Sequence, residues 1–203
     1  MTTSPTTLSR SDRIAMYFTV VLGAIGAALT VWTAVTRLAE VLPGRGIPVL
    51  VPFVGETATL PIGPDGAAVP VDVDQALVTV EDPAPATLFA LIAEPIVTGA
   101  AILAGIVVLC LLCLNLARGK AFATSTVRLL FVGTGVLLAG WVLGSLFRTM
   151  GVNGALSAVS DYTYDGVIFQ ADFGVVFAVL ALGAIGAAFQ IGHKLQREQE
   201  GLV

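Results

Sequence analysis

Cys110-Leu-Leu-Cys113 holds both cysteines of the chain at the spacing shared by dithiol redox centres and zinc sites. Either chemistry needs thiolates, which form in wet, electropositive surroundings or at a helix start. Here the pair lies inside an uninterrupted apolar run, with no histidine or second cysteine pair nearby, so both residues read as small hydrophobes. Carboxylates gather elsewhere, at Glu56, Asp65, Asp72, Asp74, Glu81 and Asp82. Asp72-x-Asp74 would put two carboxylates on one face of a strand, a beginning of the oxygen-rich set that calcium takes. The D-x-D-x-D-G loop and its distal Glu are missing, so a solvated acidic face is expected. The one histidine, His193, sits beside Lys194 and cannot by itself make a metal site or a triad. There is no phosphate-binding glycine loop, no G-x-S-x-G elbow and no HExxH. The expectation is a protein without catalysis, cofactor or metal.

The elements that hold these residues follow from composition. Of 203 residues, 56% are hydrophobic and 12% charged. That is about half the charge of an ordinary soluble domain and too little to wet the surface of a globule this long. Lys plus Arg number 10 against 14 Asp plus Glu, which argues against direct nucleic-acid binding. Four stretches carry no charge: Ile14–Thr36, Pro95–Ala117, Leu129–Phe147 and Phe173–Gly192. Each is close to the roughly 20 helical residues that cross a bilayer core. Lipid offers the backbone no hydrogen bonds, so these segments must be helices. The expected fold class is an all-α transmembrane four-helix bundle with a small β-rich cap between helices 1 and 2, and the membrane lipid is its first partner. Arg10 and Arg13 precede the first run as in a signal peptide, but the run is longer than a signal core and ends in a poor cleavage site.

Charge sorting predicts the orientation. Segments 1–13, 118–128 and 193–203 hold Arg10, Arg13, Arg118, Lys120, Arg128, Lys194 and Arg197 against three acidic residues. Segments 37–94 and 148–172 hold Arg37, Arg45 and Arg148 against eleven acidic residues. Basic residues stay inside, so both termini should be cytoplasmic and both larger loops should face outward. At the outer rim, Glu94, Arg148 and Asp172 stand at span ends, and Arg37 with Glu40 follows the first span. Rim ion pairs, such as Arg148 with Glu94 or Asp172, are expected there. The spans lack the ionisable residues that mark proton or ion pathways.

The first outer loop alternates apolar residues in four short runs, 47–51, 58–62, 69–73 and 76–80, divided by turn chemistry at Gly63-Pro64-Asp65-Gly66. It predicts three or four short strands, with the prolines at 48, 52, 61 and 70 keeping them to edges. Residues 162–169 could add another strand. Leu22-Gly-Ala-Ile-Gly-Ala-Ala28 recurs as Leu182-Gly-Ala-Ile-Gly-Ala-Ala188. Small residues let helices approach closely, so Gly23 and Gly26 are expected to pack against Gly183 and Gly186.

On the cytoplasmic side, Gly119-Lys-Ala-Phe122 precedes Val127-Arg128, and the tail closes as Leu195-Gln-Arg-Glu-Gln-Glu-Gly-Leu-Val203. The tail should continue the fourth helix. These two pieces resemble the bacterial four-span family filed as domain of unknown function 2975, the YoaS-like proteins. The resemblance implies four spans, an outer insertion after the first, and a bacterial plasma membrane. Some members are thought to accompany a small helix-turn-helix regulator, which implies cytoplasmic docking through Phe122, Leu195, Glu198, Glu200 and Leu202. The leading expectation is a sensing or regulatory membrane protein that works through its cap and tail. The alternative is a small transporter, or an accessory or structural subunit of a membrane complex, handling a neutral or lipophilic solute.

Overall fold

The computed structural model describes residues 10–118, 124–163, 168–169 and 173–200. Its order is helix α1 (Arg10–Val41), strand β1 (Ile47–Leu60), strand β2 (Val69–Val80), then helices α2 (Pro85–Ala117), α3 (Thr124–Val159) and α4 (Phe173–Glu200). All four helices are long and apolar enough to cross a membrane.

All four helices overrun their charge-free stretches. α2 begins at Pro85, ten residues before Pro95, which is therefore inside the helix. Proline suits a first helical position because its missing amide proton would have no partner there, and the Ala/Leu-rich stretch that follows favours helix. α3 runs past Arg148 to Val159. It stops where Asp161 and Tyr162 take positive φ of 51° and 62°. Residues 37–41 and 85–94 of the expected outer loop 37–94, and 148–159 of the expected loop 148–172, are thus helical, because a charge ends an apolar stretch without ending a helix. The tail does continue α4, as far as Glu200.

Among the described residues the cap is a single antiparallel hairpin with two long strands, where three or four short ones were expected. Runs 47–51 and 58–62 fall largely on β1, and runs 69–73 and 76–80 form β2. Pairing runs from Ile47↔Val80 to Leu60↔Val69, with one irregularity between Pro52 and Glu56. There β1 carries extra residues and Gly55 takes φ +75°, the left-handed conformation glycine adopts without a Cβ penalty. The bulge also shifts the sheared alternation: Val69, Val71 and Val73 are the less exposed residues before it, and Ala76, Val78 and Val80 after it. The patterned runs therefore looked like separate strands. Of the strand expected at 162–169, Tyr162 lies in a turn and Ile168 and Phe169 are irregular; residues 164–167 lie outside the described residues.

The chain divides into two units. The helical unit takes Met1–Thr36, Pro95–Gly144 and Ala171–Val203, and the hairpin unit takes Arg37–Glu94 and Ser145–Gln170. In the helical unit, small residues set the contacts between α2 and α3. A Cβ at Gly133 would stand 2.7 Å from Val108, one at Gly144 2.7 Å from the Thr98 hydroxyl, and one at Gly140 would collide with Ala101. Asn115 Nδ2 also reaches Thr126 Oγ1 at 3.3 Å. The outside of this unit is strongly apolar, with Trp32 69% and Phe177 72% exposed.

The hairpin unit has a conventional interior. Val41, Ile47, Val49, Val51, Val80, Leu91, Val152, Ala155 and Leu156 form one buried cluster, with Phe53, Val78, Leu88, Ile92 and Ile168 against it. Each Val, Leu or Ile side chain withdrawn from water contributes about 1.5–3 kcal/mol before entropy is counted. The strands' β-branched residues give the cluster its sheet face, and the ends of α1, α2 and α3 give the rest.

Candidate functional site: a charged cleft in the hairpin unit

A cleft of about 470 Å³ opens in the hairpin unit. Arg37 and Glu40 from α1, Glu94 from α2 and Arg148 from α3 line it, together with the cross-strand pair Leu50 and Leu77. Arg37 is the most firmly held of the four charges. Its Nη1 donates to Glu40 Oε2 at 2.9 Å and to the carbonyl of Pro48 at 2.8 Å, which fixes the end of α1 to β1. Arg148 Nη2 stands 3.5 Å from Glu94 Oε1, with the arginine 58% exposed and the glutamate 22%. A pair this long and wet contributes under about 1 kcal/mol, which leaves the Arg148 guanidinium available to other anions.

Two packing features support the cleft wall. Phe89 and Phe147 meet edge to face with ring centroids 5.7 Å apart. Asn153 uses its amide as a strand edge would: Oδ1 accepts from the Ile168 amide at 2.9 Å and Nδ2 donates to the Ile168 carbonyl at 2.8 Å. That bidentate hold seats Ile168 on the core. Among the described residues the lining offers two guanidiniums, two carboxylates, one amide (Gln75) and apolar carbon, with no Ser, Cys, His or Lys. It is equipped to bind by charge and apolar contact.

The other sequence-derived candidates are placed as follows. Arg37, Glu94 and Arg148 come together in the cleft, and Asp172 lies outside the described residues. Gly23 and Gly26 face α2, at Cys110 and Ile106. Gly186 faces Leu130 and Phe131 of α3, and Gly183 has no neighbour within 4 Å among the described residues. The expected packing of these α1 glycines on the α4 glycines is therefore replaced by contacts to α2 and α3: a small residue marks close approach without naming the neighbour. Cys110 and Cys113 are free, half-buried thiols in α2. Among the described residues no group of three His, Cys, Asp or Glu is placed to hold a metal ion. Leu195 is exposed on α4. Glu198 and Glu200 belong to the same helix, and Phe122 and Leu202 lie outside the described residues.

Sequence reasoning missed Asn153 and the α3 glycines. Gly133, Gly140, Gly144, Gly151 and Gly154 recur at helical spacing, a legible sign of a close helix contact. In the hairpin unit, Gly151 meets Leu91 and Gly154 meets Thr87. Asn153 left no comparable signal, because one polar residue in a helix does not announce its partner. Comparison with protein-family models, curated proteins and solved structures gave no match.

Proposed function

We propose that this chain is a non-catalytic multi-pass membrane protein that senses or regulates. In this reading the hairpin unit recognises a partner or condition on the extracytoplasmic side. The α4 tail contacts a cytoplasmic regulatory protein or another membrane subunit, and both termini are cytoplasmic. The supporting observation is the buried cluster around Ile47, Val51 and Val80, since a passive connector between spans has no use for its own core. The charge asymmetry of the sequence supports the orientation, and the YoaS-like resemblance is part of the same proposal. The charge-free stretches favour one second reading, a transporter or accessory subunit for a neutral or lipophilic solute.

Co-purification from native membranes tests the proposal. The intact chain should bring down partners that are lost when the tail is removed after Gly192, and others that are lost when the hairpin is shortened at residues 61–68. An identical set of partners from all three forms would overturn it.

A further inference from the structure

The two edges of the hairpin differ in their capacity to pair. The carbonyl of Pro48 accepts from Arg37 and so points away from β2. Outward positions alternate along a strand, which puts Leu50 and Pro52 outward as well. The register then turns their partners outward on β2: Thr79 opposite Pro48, Leu77 opposite Leu50, and Gln75 opposite Pro52. Two of these three β1 residues have no amide proton, and the Pro48 carbonyl is already taken, so the β1 edge is closed to another strand. The β2 edge has no such block. No proline occurs between Val71 and Val80. Gln75, Leu77 and Thr79 are exposed, and among the described residues nothing bonds to their outward amides and carbonyls.

Charge selects the occupant. Residues 69–84 carry Asp72, Asp74, Glu81 and Asp82 and no Lys, Arg or His. A second copy of β2 laid along this edge would set acid beside acid, which is costly between neighbouring strands. A basic strand would meet the opposite charge and complete the ladder. We propose that the free edge of β2 takes an extended, basic segment of a partner protein as an added strand. Main-chain hydrogen bonds to Gln75, Leu77 and Thr79 hold it, and Asp72 and Asp74 select its charge. The proposal rests on the reading of the hairpin unit as a recognition element and names the chemistry that unit would recognise.

The test uses the full chain in lipid nanodiscs and a fluorescent peptide alternating Lys with Val, read by anisotropy. The expected result is binding of this peptide, with no binding of the same peptide carrying Glu for Lys. Methylating the peptide's amides along one edge should abolish binding at unchanged charge. Leu77→Pro, which removes an outward donor and leaves the β1–β2 ladder intact, should weaken binding about tenfold. Asp72→Asn with Asp74→Asn should weaken it and flatten its salt dependence. No binding of the basic peptide, or equal binding of its N-methylated form, would overturn the proposal. Disulfide-linked dimers formed through Thr79→Cys at the expense of peptide binding would overturn it in favour of a second copy. If peptide binding fails while shortening the hairpin still removes partners from native membranes, the recognition role stands and only this edge is excluded.

Discussion

The two units solve opposite problems with the same residues. In the hairpin unit Val41, Ile47 and Val51 are fully buried, and charged side chains such as Arg148 and Asp72 face out. In the helical unit Trp32, Leu180 and Phe177 face out, and the contacts between helices are made by Gly133, Gly140 and Gly144 against Thr98, Ala101 and Val108. A water-solvated unit is driven together by hiding apolar surface. In the membrane reading proposed above, the helical unit is solvated by lipid, gains nothing that way and relies on close backbone approach. The contrast shows that apolar content alone says little about a core; what matters is which solvent the apolar face is prepared for.

Substitutions can break this contrast on either side. Ile47→Asp places an uncompensated charge in the hairpin core and should cost at least about 4 kcal/mol. Limited proteolysis should then cut within 47–80, while the helices remain in the membrane fraction. Gly140→Leu overfills the α2–α3 contact and should cost about 2 kcal/mol, read as lower thermal stability in detergent with the hairpin still protease-resistant. Asn153→Ala frees the backbone of Ile168 and should cost about 1–2 kcal/mol, read as faster hydrogen exchange at 168. Arg148→Gln removes an exposed ion pair and should shift stability by under about 1 kcal/mol, an effect that 1 M salt should erase. Gly183→Leu, at a position with no neighbour within 4 Å among the described residues, should stay within about 0.5 kcal/mol. A large effect there would restore the packing suggested by the α1–α4 repeat.

Four apolar helices and a β element after the first were legible in the sequence, because runs such as Pro95–Ala117 have one physical explanation. Helix ends were not: Arg148 ends an apolar stretch while α3 continues beneath it to Val159. The strand count failed at the bulge between Pro52 and Glu56, where extra residues shift the alternation on both strands without ending either. Arg37, Glu94 and Arg148 could be found by their position at the apolar boundaries. Their meeting with Leu50 and Leu77 in one cleft depends on hairpin register, which pattern alone does not set.

Single cysteines in a background lacking Cys110 and Cys113 test the two-solvent account most directly. Trp32, Phe177, Ile62 and Leu77 are similarly exposed, at 69%, 72%, 65% and 68%, so geometry alone makes their cysteine variants equally reactive. In native membranes, a membrane-impermeant maleimide should label Ile62→Cys and Leu77→Cys rapidly and leave Trp32→Cys and Phe177→Cys unmodified. Equal labelling at all four positions would contradict the account.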